Sequence, residues 1–555
     1  MRNPHIAMGI SGLRRIPGLI PAASIIFFLL AGIALIPWPG LQNDELFFAG
    51  PLFDRNAAFY YSQLGTLHIP LMVISYTGAL KTWLYAGLLA TLEPSPWVIR
   101  IPALLAGAAT IWLTWIWMNR MGAGAKAATI ATLLLATDTS YLLTTTFDWG
   151  PVALQHLLLM SGLVCIQIWI ARRSRVALAV AFLLWGLGLW DKALMLWPLT
   201  GLAIACCIVY WREMISRIRL ADAAIALACF AIGAMPLIWF NIARPGETAS
   251  RNLALSTAQG HQKIKALRES VDGSEMFGFI VKDDNASRSP SGAGFFTRLP
   301  LAIKSHFGTH RRNLMPVVLV VAVLCFAALW RSPIRRPLLF LGITMAVAWA
   351  EMFFNKGTGV FVHHVVLLWP FPFVFAGIAL ASAAQQFAAT GEILLAAFMV
   401  VVLAANVLTT NEYLAEFITN GGAGGWTDAI YRLAATVDTI SAPWIGLVDW
   451  GCLNGLRVLH QRDVSFFVAS DFVVSHTPTA ADLEAVAHMA GTPGIVFIQH
   501  VADKQIFPGV NDRFRAVALQ DGFEEQVRQV IPDRNGHPVF ELFSLRSKAR
   551  ALGSQ

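Results

Sequence analysis

Charge is what this sequence has least of. Only 13% of its 555 residues are Asp, Glu, Lys or Arg, about half the share usual in a soluble globular chain. That excludes an ordinary cytosolic enzyme, and so little charge beside so much apolar sequence excludes a disordered chain. Cysteine is scarce as well. Cys165, Cys206, Cys207, Cys229 and Cys325 sit inside apolar runs and Cys452 stands alone, so they read as small core residues, with no disulfide framework and no Cys/His zinc spacing. A Gly-x-x-x-x-Gly-Lys-[Ser/Thr] loop is absent, which removes a site for ATP-driven transport. So are His-Glu-x-x-His and Cys-x-x-Cys patterns, which argues against a dedicated zinc site. There is no internal repeat. No small-residue cleavage site follows the basic pair Arg14-Arg15, so the first apolar stretch reads as a retained helix, not a removed signal peptide.

Apolar sequence is what the chain has in excess: 56% hydrophobic residues and a mean hydropathy of +0.59. Its net charge of +8 is unevenly spread. Residues 1–410 hold 30 Lys and Arg against 17 Asp and Glu, whereas residues 411–555 hold 11 against 16. The basicity lies among apolar stretches and not on a polar domain, so nucleic acid is excluded as a partner. The expectation is a polytopic α-helical membrane protein, residues 1–410, with a small soluble α/β domain at 411–555.

A spanning helix needs roughly 20 apolar residues. By that measure spans fall at 17–38, 97–119, 126–146, 151–171, 176–190, 193–211, 221–242, 314–330, 337–354, 361–382 and 391–410. The positive-inside rule orients them. With the N-terminus cytoplasmic, the inner connections carry Arg120 and Lys126, then Arg172, Arg173 and Arg175, then Arg212, Arg217 and Arg219, then Arg331, Arg335 and Arg336. The alternate connections are long or carry acids, among them the outer loops 39–96 and 243–313. A twelfth span at 68–92 would break this alternation, so that stretch is expected to be a helix lying on or dipping into the outer face. The loop 243–313 has an amphipathic piece at Gln259–Val271 and a Ser/Gly-rich piece at 285–294, and loops of this length are commonly lids or binding loops. In the tail, apolar runs at Trp444–Asp449, Val464–Ala469, Gly494–Ile498 and Val539–Phe543 flank a helical pattern at Ala480–Met489, as strands and helices of an α/β domain do.

Charges at one face of a membrane need a reason. Four groups lie at the outer ends of spans: Asp44-Glu45 after the first, Asp148 in a short turn, Asp191-Lys192 in another, and His363-His364 preceded by Lys356. Each alone has an ordinary explanation, such as a solvated loop acid, a helix cap, a local ion pair or an interfacial histidine. Together, carboxylates and cations on one face suit the transfer of a sugar from a lipid phosphate to a hydroxyl. The acceptor needs a carboxylate to take its proton. The departing phosphate needs cations and no proton donor. The 19 tryptophans are mostly explained by interfacial belts, and Trp149, next to Asp148, is kept as a sugar platform.

In this order the residues resemble the GT-C glycosyltransferases of the protein mannosyltransferase and aminoarabinose/galacturonic acid transferase type. Asp44-Glu45 matches the Asp-Glu pair of their first outer loop. Ile69-Pro70-Leu71 and Arg100-Ile101-Pro102 resemble the Pro-Leu and Arg-Leu-Pro segments that follow, and Asp148 the second aspartate. Asp191-Lys192-Ala193 resembles a Lys-Gly-Pro segment with its glycine replaced, and His363-His364 with Trp369-Pro370 an aromatic and proline-rich span with a phosphate ligand at its outer end. The resemblance covers about residues 10–410. It implies a GT-C fold, with a polyprenyl-phosphate-linked sugar as donor, a glycan, lipid or protein as acceptor, and membrane lipids around the site. It further implies Asp44 as general base, Glu45 holding the local geometry, and Asp148 binding a sugar or orienting a partner. Lys192 with His363 or His364 would hold the donor phosphate. Related enzymes carry a lysine ahead of the Pro-Leu segment, where this chain has His68, with Lys81 later; both join the phosphate-binding candidates. No cofactor is implied, and with no clear third carboxylate a divalent metal is not favoured. The expected location is a bacterial inner membrane, with the tail domain on the periplasmic or extracellular side. A lipid or solute transporter is the first alternative, though transporters place their charges near the bilayer midplane. A non-catalytic scaffold is the second.

Overall fold

The computed structural model describes residues 18–54, 57–282, 294–460, 464–475 and 477–547; Arg14-Arg15 and nearly all of the Ser/Gly-rich piece lie outside them. The chain is a polytopic helical membrane protein carrying a small sheet domain. All eleven apolar stretches are helical, but fewer are long straight rods. Pro96–Arg120, Val152–Arg172, Arg335–Phe354 and Ala388–Asn420 are each long and apolar enough to cross a bilayer unaided, and up to eight such spans result if each bent pair is one. The bent pairs break at Asp138 (59°), Tyr210 (92°), Ala234 (67°) and Trp369-Pro370 (46°).

Local chemistry sets these boundaries. Ser95 accepts a hydrogen bond from the Val98 N–H at 3.3 Å ahead of Pro96, and Arg120 occupies the last turn, which satisfies one terminus and complements the dipole of the other. Asp138 breaks its span because its side chain takes the Tyr141 N–H at 2.7 Å, starting a new helix. The same oxygen accepts the Trp369 indole N–H at 2.9 Å. Two broken spans, Ala125–Thr146 and Val362–Gln386, are thereby tied at their breaks.

The stretch 68–92 departs from expectation, being helical only over Leu80–Leu89. Before that, β1 (Tyr60–Leu64), β2 (Leu67–Ile74) and β3 (Thr77–Gly78) form an antiparallel sheet. Gly65 turns β1 into β2 at φ +62°, and Pro70 in β2 has no N–H to give a helix.

The tail sheet has the order β5 (Ser465–Val468), β4 (Trp444–Leu447), β6 (Val496–His500), β8 (Pro538–Ser547), β7 (Phe523–Pro532). β5, β4 and β6 are parallel; β8 and β7 run antiparallel. Alternating side chains feed two cores. Ile445, Leu447, Val496 and Ile498 pack with helices Ala429–Val437 and Leu453–Leu459. Val448, Phe497 and Phe543 pack with helices Ala480–Gly491 and Val510–Gln520. This is a three-layer α/β domain. The sequence runs mark β4, β5, β6 and β8 but not β7, an edge strand exposed over most of its length and accordingly polar. The helix Ala388–Asn420 runs through position 410 without a break.

Candidate active site

The connections that charge patterning assigns to the outer side come together at one end of the bundle. Thr77 in β3 bridges to Lys192, Leu255 to Asn355, and Val281 to Gly422.

Asp44 lies in the turn after the first helix, its backbone held from inside. The Gln42 side-chain oxygen accepts the N–H groups of Asp44 (2.5 Å) and Glu45 (3.2 Å). Glu45 is buried and takes a two-pronged contact from Arg100, Nε to Oε1 at 2.6 Å and Nη2 to Oε2 at 2.9 Å. Arg100 also donates to the carbonyls of Ile36, Pro39 and Gly40 at 2.7–3.1 Å. The guanidinium, buried at 0% exposure, thus ties the first helix end, the loop and Glu45 together. Glu45 is spent on this lock. Asp44 beside it stays partly exposed, accepting the Trp149 indole N–H at 3.4 Å. Burial pushes its carboxyl up to about 6, against the pull of Trp149, Lys192, Gln42 and Asn43.

The turn Phe147–Pro151 carries the second group. Asp148 adopts a left-handed conformation at φ +42°, which aspartate tolerates better than most residues. It pairs with Lys81 and accepts the Ala153 N–H at 3.0 Å at the start of the next helix. Lys81 is therefore no free cation: it is buried, ion-paired and set 3.9 Å over the Phe48 ring. Gly150 must be glycine. Its φ is +70°, and an added Cβ would lie 2.7 Å from the His363 ring and 3.1 Å from the Lys192 ammonium. Lys192 donates to the Gly150 carbonyl at 2.6 Å and is 2% exposed, so it points into the site and does not snorkel beside Asp191. Gln155 fixes its backbone carbonyl at 2.9 Å. Asp191 is buried with both carboxylate oxygens unpartnered.

The His363 and His364 rings lie 4.2 Å apart, tilted by 52°, each with a buried, unpartnered Nδ1. His363 lies 4.6 Å from Trp149. Asp44, Trp149, Lys192 and His363 thus adjoin one another in one cluster, with the Asp148–Lys81 pair on the same turn. His68 stands apart, exposed in the hairpin across from Gln63, with its ring 6.3 Å from Tyr61. Trp149 is covered as a platform: Phe279, from the long loop, stacks on it at 4.9 Å and 18°, and Trp426 meets it edge-on. Among the described residues no three His, Cys, Asp or Glu side chains are placed to hold a metal ion.

Sequence patterning gives no role to Gln42, Asn43, Arg100, Phe279, Trp426 or Asn454. Arg100 carries a usable signal, one arginine inside an otherwise apolar stretch, which must find a partner. Gln42 acts locally, on the next two acids, and the rest act through contacts as far apart in sequence as Asn43 and Asn454, which no local pattern encodes.

No protein-family model matches the chain, and no curated protein matches it in sequence. Among solved structures it superposes on ArnT from Cupriavidus metallidurans in the apo state, with a TM-score of 0.54 and 12% identity over 95% of this chain and 97% of that one. The same protein bound to undecaprenyl phosphate gives 0.53 and 13% over the same shares. The apo oligosaccharyltransferase of Archaeoglobus fulgidus gives 0.48 and 12%, over 86% of this chain and 69% of that one. The chain has the GT-C fold.

Proposed function

We propose that this chain is an integral membrane glycosyltransferase, moving a sugar from a polyprenyl-phosphate donor to an acceptor hydroxyl at the membrane face that bears Asp44. The observation that carries this is the pairing of functions in one cluster. A partly exposed carboxylate with a raised pKa is tied through Trp149 to a turn that also seats a buried lysine and a histidine. Asp44 takes the proton of the acceptor hydroxyl as its oxygen attacks the anomeric carbon. The bond from that carbon to the lipid phosphate breaks with inversion. Lys192, with His363 or His364, receives the charge gathering on the departing polyprenyl phosphate, for which fixed cations and donors are the effective catalysts. Glu45 acts through Arg100 to hold the loop, and Asp148 keeps Lys81 and the turn in register. Neither His68 nor Lys81 is needed for the phosphate.

ArnT of Cupriavidus metallidurans has been solved with undecaprenyl phosphate, and a carrier of that chemistry is the one proposed here. The same proposal places the protein in a bacterial inner membrane with its N-terminus cytoplasmic. Residues 1–410 form the transferase module, residues 411–555 the domain on the extracytoplasmic side.

The test is turnover of a panel of polyprenyl-phosphate sugars by purified wild type and Asp44→Asn. Wild type should release free polyprenyl phosphate, and the variant should lose about a hundredfold or more, the scale of a missing general base. Full turnover by Asp44→Asn would remove the base assignment. Failure to bind any donor would remove the transferase.

A further inference from the structure

Among the contacts of the tail domain with the Asp44 loop, one falls on the residue directly before Asp44. Asn454 donates its backbone N–H to the Asn43 side-chain oxygen at 3.1 Å and its amide Nδ2 to the Asn43 carbonyl at 3.3 Å. Both asparagines are almost fully buried, at 4% and 5% exposure. Gly50, later in the same loop, packs so closely that an added Cβ would lie 3.1 Å from the Asn454 oxygen. Asn43 is thereby fixed at both its side chain and its carbonyl, directly before Asp44 in the chain, and it is among the groups that lower the Asp44 carboxyl against the upward push of burial.

Asn454 is itself firmly placed. It opens the helix Leu453–Leu459, directly after the segment that leaves β4. In that segment Asp449 accepts hydrogen bonds from the N–H groups of Ile506 (2.8 Å) and Phe507 (3.1 Å) and from His500 Nδ1 (2.8 Å) at the end of β6. Asn454 therefore hangs from the ends of two interior strands of the sheet, β4 and β6.

We infer that Asn43 and Asn454 are positioning residues through which the tail domain aims the Asp44 carboxylate. The inference rests on Asp44 being the base of the proposed reaction. Docking alone does not call for this pair. Arg457 with Asp54 (2.7 Å), Arg534 with the Trp38 carbonyl (2.8 Å), and Asn535 with the Thr419 carbonyl near the end of the bundle helix Ala388–Asn420 (3.1 Å) already join the sheet domain and the bundle. Asn454 differs from them in touching the residue next to Asp44.

The experiment reads Asp44 directly. Carbodiimide couples to a protonated carboxyl, so the pH midpoint of labelling at Asp44, followed by mass spectrometry of the full-length protein, reports its protonation without turnover. Removing the Asn43 side chain, which lowers the Asp44 carboxyl, should in Asn43→Ala raise that midpoint by about one pH unit. It should lower kcat about tenfold and leave the donor KM unchanged. Asn454→Ala should shift the midpoint the same way by less. Arg457→Ala, which cuts a tail contact away from Asn43, should leave it in place. Where an alanine variant does not fold, as judged by thermal melting, Asn43→Ser and Asn454→Ser must reproduce the shift. An unmoved midpoint in the Asn43 and Asn454 variants overturns the inference, as does an equal shift in Arg457→Ala. If Asp44→Asn turns over normally while the midpoints still move, the base assignment falls and the coupling of tail to Asp44 stands.

Discussion

At the scale of single residues, two adjacent acids with the same side-chain chemistry have been given opposite tasks. Glu45 is enclosed and satisfied by Arg100, while Asp44 is enclosed without a full counter-charge, which raises its carboxyl to about 6. The sign of the pH dependence follows. A base works when deprotonated, so kcat/KM should be level above about pH 6 and fall with unit slope below it, and a rate profile from pH 4.5 to 8 checks this. For Glu45→Gln the expected loss is stability. A buried pair broken on one side costs about 3–5 kcal/mol because the other charge stays uncompensated. Its melting temperature in detergent should fall accordingly, and a melt matching wild type would show that Arg100 is held by the backbone carbonyls alone. Asp44, Glu45, Asp148 and Lys192 were legible because charge is rare in this sequence and each sits at a span end. The residues alone do not say which acid is locked and which is free, since Arg100 decides that from 55 residues away; only the family resemblance gave Glu45 a structural task.

At the scale of elements, the broken helices and the long loop build the site. The hydropathy pattern located every apolar helix but could not show that several bend, because a break at Asp138 or Trp369-Pro370 leaves the composition unchanged. It also misassigned 68–78, the first part of the stretch 68–92, where the turn at Gly65 and the missing N–H of Pro70 outweigh an apolar run. In the long loop, the amphipathic piece is the helix Gly260–Asp272. Just after it, Glu275 accepts the Ser270 hydroxyl, and burial pushes its carboxyl up to about 8. A carboxyl raised on folding binds its proton more tightly in the native state. Its contribution to stability is complete below the unfolded value near 4.5 and is lost as pH rises through about 8. Glu275→Gln should therefore melt at a temperature less dependent on pH between 5 and 8.5 than wild type, with its largest gain at the alkaline end. Parallel pH dependences would show that Glu275 titrates normally.

At the scale of the whole molecule, the tail domain is part of the site's wall. Its alternating strands were readable as an α/β unit, but its docking was not, because each contact joins residues more than a hundred positions apart. Trp426 is buried against Phe147 and Trp149, and its carbonyl accepts the Gly40 N–H at 2.7 Å. Lys282 of the long loop pairs with Asp533, and Arg534 joins Asp428 with the carbonyls of Phe417 and Trp38. Arg534→Ala should loosen this seam. Limited proteolysis should then cut between Asn420 and Trp444 several-fold faster, and turnover should fall. Unchanged cleavage would mean that the remaining contacts hold the domain by themselves.

The hydrogen bond from Arg534 to the Trp38 carbonyl closes a span of 496 residues, and this has a consequence for how the protein is made. A ribosome adding about 5–20 residues per second needs roughly half a minute to two minutes to pass from one partner to the other. Throughout that interval the first outer loop waits in the membrane with its bracing segment still unsynthesised. A nascent chain therefore carries an unfinished site until late in synthesis, and completion arrives with the arginine at 534.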